Sequence, residues 1–146
     1  MAATTGRRSR SVRILVDTSA LLAISRTRDQ YHETALRIAQ RHLGSGGRFV
    51  GTTLVLGELH SHLLYLRGPE LAREALIRLL EDAAHECVDV TAEIVRGAID
   101  SWLMRFGDRR FSLVDAVSFE VMRRRRITHA FAFDQHFETA GFSTLR

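Results

Sequence analysis

Four acidic side chains are placed along this sequence so that one folded site can contain them all: Asp17, Glu58, Asp115 and Asp134. Clustered carboxylates repel one another, so a site that holds several of them needs cations or protons to neutralise it. Ligand sets made only of oxygen suit magnesium or manganese, which keep bound waters and commonly bridge to phosphate. No pair of histidines or cysteines has the spacing of a zinc site. The four carboxylates therefore predict a magnesium or manganese centre.

Each of these carboxylates also has an ordinary structural interpretation. Asp17 and Asp134 stand where a short apolar run ends, a common place for an aspartate that caps a helix or forms a turn. Ser112 and Asp115 have the spacing of a capping box, in which a hydroxyl and a carboxylate satisfy the first turn of a helix. Glu58 interrupts an apolar stretch and is either a surface residue or a glutamate close to the core. Their combination, more than any one of them, favours a shared site.

The elements that must position these residues alternate between short apolar strands and helices. Strands are predicted at residues 12–16, 48–51, 87–90, 130–133 and 142–145. Helix starts are predicted at residue types that cap or open helices, namely Asp29, Thr52 or Thr53, Pro69, Thr91 and Ser112. This alternation predicts an α/β domain with a mostly parallel sheet. Ligands bind beyond the carboxyl ends of such strands, where Asp17 and Asp134 would face one another from neighbouring strands.

The composition indicates which class of molecule the chain binds and in which cellular compartment it is expected. All 21 basic residues are arginine and the net charge is +4, which favours a nucleic-acid partner. Residues 1–11 are predicted to be a basic, disordered arm, and residues 12–146 a single domain. Because Cys87 is the only cysteine, no intrachain disulfide is possible, and a reducing, cytoplasmic compartment is expected. No apolar run is long enough for a signal peptide or a membrane helix.

Four stretches together resemble the PIN-domain nucleases, and most closely the VapC-type toxins of bacterial toxin–antitoxin pairs. They are Val-Asp-Thr-Ser-Ala-Leu at 16–21, Glu58 in its helix, Ser-Leu-Val-Asp-Ala at 112–116 and Phe-Ala-Phe-Asp-Gln-His-Phe at 131–137. Asp-Thr-Ser alone is a weak signal, but four acidic motifs in the same order, each in the expected element, are specific. The resemblance covers residues 12–145, nearly the whole chain.

The resemblance implies a three-layer α/β/α sandwich whose central, mostly parallel sheet has four to five strands. It implies RNA cleavage with one or two magnesium or manganese ions, a homodimer, and neutralisation by a cognate antitoxin protein, so that the chain would be a toxin that inhibits translation. The family's catalytic and metal-binding acids fall on Asp17, Glu58, Asp115 and Asp134, and its hydroxyl near the third acid falls on Ser112.

The mechanism expected from these residues is hydrolysis of an RNA phosphodiester by metal-activated water. Ser112 and Thr18 would orient the carboxylates or their waters. The arginine run at 123–126 would hold the RNA backbone, unless it is a solvated helix end that the helix dipole favours. His136 stands where many PIN relatives have a further acidic residue, so the second metal is expected to bind weakly, or only with substrate.

Two other classes of protein place aspartates in a similar way. Phosphoryl-accepting receivers and haloacid-dehalogenase-like phosphatases rely on a lysine near the phosphate, and this chain contains none. The phosphatase pattern would also require a second aspartate where Ser19 stands. The remaining alternative is a catalytically silent PIN-like module for RNA binding or assembly, although such modules typically lose acidic residues. Metal binding discriminates between that module and a nuclease.

Overall fold

The computed structural model describes residues 11–145, so the predicted arm at 1–11 lies, apart from Ser11, outside the described residues. Within the described range, the strands form one sheet in the order β3-β2-β1-β4-β5, and every neighbouring pair is parallel. The strands are β1 (Arg13–Val16), β2 (Arg48–Thr52), β3 (His85–Val88), β4 (His129–Phe131) and β5 (Ser143–Thr144). The predicted α/β fold with a central parallel sheet is confirmed.

Helices connect the strands and cover both faces of the sheet. They are α1 (Thr18–Ser25), α2 (His32–Gly44), α3 (Thr53–Arg67), α4 (Pro69–Glu81), α5 (Ala92–Ala98), α6 (Leu113–Arg125) and α7 (His136–Thr139), and a π-helical turn (Ile99–Leu103) continues α5. No helix among residues 11–145 is both long and apolar enough to cross a membrane.

Strand β1 shows why the domain has three layers. Ile14 and Val16 pack into a core with side chains of α1, α2 and α3, whereas Leu15 packs into a second core with α5 and α6. Successive side chains of a strand point to opposite faces, so an uninterrupted apolar strand must be covered on both sides. The apolar run at the start of the chain therefore becomes the centre of an α/β/α sandwich.

The position of β1 also creates the place for a site. The chain continues from β1 to β2 on one side, but β1 pairs with β4 on the other side. The connections leave the sheet in opposite directions at such a point, which opens a crevice at the carboxyl ends of the two strands. Asp17, the residue after β1, lies there, and its backbone N–H donates to the carbonyl oxygen of Phe131 at 3.0 Å.

Three of the predicted boundaries are wrong. Strand β3 begins two residues earlier than predicted and ends at Val88. Strand β4 ends at Phe131, so Asp134 lies in the turn after the strand and not directly at its end. Asp29 does not cap α2, because that helix begins at His32 and the Asp29 carboxylate accepts a hydrogen bond from the backbone of Tyr31 at 2.8 Å. At Asp29 a local turn to Tyr31 takes the place of the predicted helix cap.

Three arginines of the run at 123–126 are engaged in the protein's own ion pairs, namely Arg123, Arg124 and Arg125. Arg123 and Arg124 both donate to the carboxylate of Glu120, which is completely buried, at 2.7 Å, and Arg125 donates to Glu86 at 2.7 Å. An α-helix rises about 1.5 Å per residue, so the run lies about 15 Å from Asp115 along the axis of α6. These contacts show that Arg123, Arg124 and Arg125 fasten α6 to its neighbours, whereas contact of the run with the RNA backbone stays a prediction.

Glu120→Gln is expected to destabilise the fold by about 2 kcal/mol near neutral pH, because two arginines lose their charged partner. Burial raises the pKa of Glu120, but hydrogen bonds from Arg123, Arg124 and Trp102 outweigh burial and hold this pKa below its usual range. A lowered carboxyl pKa gives stability that is present above the unfolded-state pKa and is lost as the pH falls through the folded-state pKa.

Urea unfolding of the wild type and Glu120→Gln at pH 7 and pH 3 measures this effect. The stability difference should shrink at the lower pH. Glu81→Gln, at an exposed carboxylate, is the matched control and should change stability little at either pH. A difference between wild type and Glu120→Gln that is the same at both pH values would contradict the assignment of the ion pairs.

Candidate active site

Asp17 is the most buried of the predicted acidic residues, with 4% of its surface exposed. It caps the N-terminus of α1, and its Oδ2 accepts hydrogen bonds from the Ser19 hydroxyl at 2.7 Å and the Ser19 backbone N–H at 3.3 Å. The Ser19 hydroxyl in turn accepts from the backbone N–H of Phe133 at 3.1 Å. One hydroxyl thus joins the end of β1 to the turn after β4.

The environment of Asp17 disfavours its negative charge. Burial, together with the neighbouring Asp134 carboxylate, raises the pKa of the Asp17 carboxyl from 3.8 to about 7, although the hydrogen bonds from Ser19 oppose the rise. A buried carboxylate that faces another carboxylate is stabilised by a cation or a proton. Asp17 therefore has the electrostatic character of a cation-binding group.

Asp115 combines a structural and a site position. The predicted capping box is confirmed, since the Ser112 hydroxyl accepts from the Asp115 backbone at 3.0 Å and Asp115 Oδ2 accepts from the Ser112 backbone at 3.0 Å. The same Oδ2 lies 2.8 Å from Nδ1 of His136. The first turn of α6 holds this carboxylate in one orientation, and the positive end of the helix favours its charge.

Asp134 lies in the turn between β4 and α7. Its Oδ1 accepts a hydrogen bond from the backbone N–H of His136 at 2.9 Å. Asp115, Asp134 and His136 each offer one potential metal-ligand atom, and these three atoms lie within 4.8 Å of one another. This arrangement can hold a metal ion. Asp17 and Glu58 are not members of this group, although Asp17 interacts with Asp134.

Every site residue that the sequence predicts lines one depression of about 310 Å³. Its walls come from the starts of α1 and α6, the first half of α3, and the turn that leads into α7. The lining residues are Asp17, Thr18, Ser19, Leu22, Glu58, His62, Arg110, Ser112, Asp115, Asp134 and His136. The fold thus brings the four predicted carboxylates and both predicted hydroxyls to one place, from four separate segments of the chain.

Thr18 provides a further indication of what the depression can bind. Its side chain is 3% exposed, and its hydroxyl has no hydrogen-bond partner among residues 11–145. A buried hydroxyl without a partner is unfavourable and calls for a bound water or ligand. Carboxylates, an imidazole and an unpaired hydroxyl around one depression fit a hydrated divalent cation.

Three polar lining residues were missed from the sequence: Ser19, His62 and Arg110. Ser19 lies two residues after Asp17, and its hydroxyl could have been read as a partner of that carboxylate. His62 follows Glu58 by four residues, the spacing that places two side chains on one face of a helix. Arg110 carried no sequence signal, because it lies in an irregular loop whose path depends on tertiary packing.

Comparison with known proteins gives this geometry a context. Residues 14–143 match the family model described as PIN domain. The chain is 37% identical over 134 residues to a protein of Mycobacterium tuberculosis named 23S rRNA-specific endonuclease VapC20, a match that covers 91% of this chain and 98% of the relative.

Solved structures show the same similarity in three dimensions. The crystal structure of M. tuberculosis VapC20, described as a sarcin–ricin loop cleaving toxin, superposes with a TM-score of 0.79 at 34% identity, over 91% of this chain and 98% of that chain. A VapBC2 structure from Rickettsia felis superposes with a TM-score of 0.66 at 12% identity, over 92% of this chain and 98% of that chain, and shows a shared fold alone. The chain therefore belongs to the PIN-domain family, and within that family to the VapC group.

Proposed function

We propose that this chain is an endoribonuclease that uses Mg²⁺ or Mn²⁺, one or two ions, to cut RNA phosphodiester bonds. The observation that carries the proposal is the meeting of Asp17, Glu58, Asp115 and Asp134 around one depression. Membership of the PIN family supports a nuclease site at this position. A buried carboxylate such as Asp17, whose pKa is raised to about 7 and which a cation would stabilise, favours a metal-dependent nuclease over a silent binding module.

The proposed roles follow from the contacts of each residue. Asp115 and Asp134 bind the cation, since their oxygens belong to the one group with metal-ligand spacing that the described residues contain. Asp17 adds charge from the buried side of the depression. When bound, a divalent cation supplies Lewis acidity, because it polarises phosphate and water and stabilises developing negative charge. Glu58, on the α3 wall, completes the acidic set.

Other side chains hold this set in place or reach toward the substrate. Ser112 fixes Asp115 through the capping box, and Ser19 fixes Asp17. The unpaired Thr18 hydroxyl is placed to bind a water of the site. Arg110 is exposed on the rim of the depression, where its guanidinium can pair with an RNA phosphate. Arg110 is thus a second candidate, beside the arginine run at 123–126, for holding the RNA backbone.

The proposed substrate is the sarcin–ricin loop of 23S ribosomal RNA. The support is the 37% identity to VapC20, which is named for cleavage of this RNA, over 91% of the chain. The composition of the whole chain agrees with an RNA substrate, since its net charge is +4. Cleavage of ribosomal RNA would inhibit translation, so the chain would act as a toxin in the cytoplasm.

A toxin of this kind is proposed to pair with a cognate antitoxin protein and to form a homodimer. An open apolar groove of about 430 Å³ between α1, α3 and α4 supports a protein partner, since it is lined by Leu21, Leu59, Leu63 and Leu71 and bordered by Arg67. Relief of growth arrest by the product of the neighbouring small gene tests the antitoxin, and light scattering of the purified chain measures the oligomeric state.

Incubation of the purified chain with 23S ribosomal RNA and Mn²⁺ tests the proposed activity. We expect one principal cut, mapped by primer extension to the sarcin–ricin loop, that disappears with EDTA and in Asp115→Asn. Asp100→Asn, an exposed aspartate of the π-helical turn, is the control and should cut normally. A cut elsewhere would contradict the substrate, and cleavage that persists in EDTA or in Asp115→Asn would contradict the metal-dependent site.

A further inference from the structure

His136 is held between two of the proposed metal ligands. It is the first residue of α7, its backbone N–H donates to Asp134 Oδ1 at 2.9 Å, and its ring Nδ1 lies 2.8 Å from Asp115 Oδ2. Its side chain is 44% exposed and lines the depression. The residue is therefore neither part of the core nor a free surface group, because its ring and its backbone each contact a carboxylate of the acidic site.

The orientation of the ring is restricted from a second direction. Phe111 packs edge-on against the imidazole, with the ring centroids 5.7 Å apart and the planes at 64°. An aromatic contact on one side and a carboxylate contact on the other leave the ring few rotamers. A side chain that is already oriented loses little conformational entropy when it binds an ion.

The chemistry of the donor atoms distinguishes this site from one made of oxygen alone. Magnesium prefers oxygen ligands in a strict octahedron, whereas imidazole nitrogen is a ligand of the first-row transition metals. Asp115, Asp134 and His136 form a set of two oxygens and one nitrogen within 4.8 Å. A carboxylate at position 136 would make the set all-oxygen and would suit magnesium better.

We propose that His136 is a nitrogen ligand of the cation bound by Asp115 and Asp134, and that it makes the site select a transition-metal ion such as Mn²⁺ over Mg²⁺. The inference rests on the proposed nuclease function, because it concerns the same site. It replaces the expectation that the second metal is weakly held: the histidine changes which cation binds and does not remove a ligand.

Calorimetric titration with Mn²⁺ alone and Mg²⁺ alone, without RNA, tests the selectivity. We expect the wild type to bind Mn²⁺ more tightly than Mg²⁺, and His136→Asp to reduce this preference roughly tenfold. His129→Asn removes an exposed imidazole from β4 and should leave the preference unchanged. An equal preference in the wild type and His136→Asp would overturn the proposal.

Pulsed electron paramagnetic resonance of the Mn²⁺-loaded protein provides a second readout that does not depend on relative affinities. The coupling of a directly bound ¹⁴N nucleus should be present in the wild type and in His129→Asn, and absent in His136→Asp. A Mn²⁺ spectrum of the wild type without this coupling would show that His136 only orients Asp115, and would overturn the proposal.

The RNA assay separates this proposal from the nuclease function. If the wild type cleaves RNA with metal but shows no ¹⁴N coupling, the nuclease function stands and the role of His136 is wrong. If the wild type neither binds Mn²⁺ nor cleaves RNA, both proposals are wrong. Bound ¹⁴N without RNA cleavage would support His136 as a ligand and contradict only the proposed activity.

Discussion

Asp17→Asn is expected to slow RNA cleavage about a thousandfold, because a metal-site carboxylate contributes several kcal/mol to the stabilisation of the transition state. The substitution removes the charge but keeps the shape of the side chain, and asparagine is as good a helix cap as aspartate. The side-chain oxygen of the introduced asparagine can still accept the hydrogen bonds that Asp17 receives from Ser19. The loss of activity should therefore come without a loss of structure.

Single-turnover cleavage of an RNA oligonucleotide at saturating Mn²⁺ measures the effect of Asp17→Asn. Circular dichroism of the same sample establishes that the variant is folded. Asp100→Asn removes one carboxylate that does not line the depression and should leave the rate unchanged. Wild-type rates in Asp17→Asn would contradict the assignment of this carboxylate to the active site, whatever the identity of the RNA target.

The same substitution is expected to make the metal-free protein more stable at pH 8. Burial and the nearby Asp134 raise the pKa of Asp17 from 3.8 to about 7. For a group whose pKa is higher in the folded state, the stability present below the unfolded-state pKa is lost as the pH rises through the folded-state pKa. The wild type should therefore lose stability between about pH 4 and pH 7, by roughly 4 kcal/mol at most.

Thermal unfolding in EDTA at pH 4 and pH 8 compares the wild type with Asp17→Asn. The variant should be clearly more stable than the wild type at pH 8, with a much smaller difference at pH 4. Saturating Mn²⁺ should then stabilise the wild type more than the variant, because an ion that binds only the folded state adds to its stability. A wild type that is the more stable protein at pH 8 in EDTA would contradict an unfavourable charge on Asp17.

At the site of Asp17, the charge that the proposed activity requires lowers the stability of the metal-free fold. Asp17 is 4% exposed and faces a second carboxylate, an arrangement that packing alone would not favour. Sites of this kind commonly become more stable when their charge is removed. The opposite effects of one substitution on rate and on stability would be difficult to explain for a residue that serves only as a helix cap.

Local features were predictable from the sequence because their causes lie within a few residues. The capping box at Ser112 and Asp115, the caps at Thr52 and Thr91, and the helix start at Pro69 depend on neighbouring side chains and backbone. The apolar run that becomes β1 is buried on both faces wherever a parallel sheet forms. Order along the chain and the residue types of four motifs were sufficient to identify the family.

Contacts between distant segments were decided only by the tertiary structure. The hydrogen bond from Phe133 to Ser19 joins residues 114 positions apart, and the contact of His136 with Asp115 spans 21. No local pattern encodes such distances, because they depend on how the connections cross the sheet. For the same reason the residue types of the arginine run at 123–126 allow both an RNA contact and a solvated helix end, and only the structure shows that Glu120, Glu93 and Glu86 hold most of it.

The four carboxylates show both what the sequence determined and what the tertiary structure decided. Their residue types and order were readable from the sequence, because metal chemistry requires oxygen donors and the motifs that carry them are short. Which of them can share one ion was not readable, because Asp115 and Asp134 have metal-ligand spacing with His136, whereas Asp17 lies deeper and Glu58 lies on the wall of α3. The sequence determined which chemistry is present, and packing around the crevice between β1 and β4 decided which atoms can share an ion.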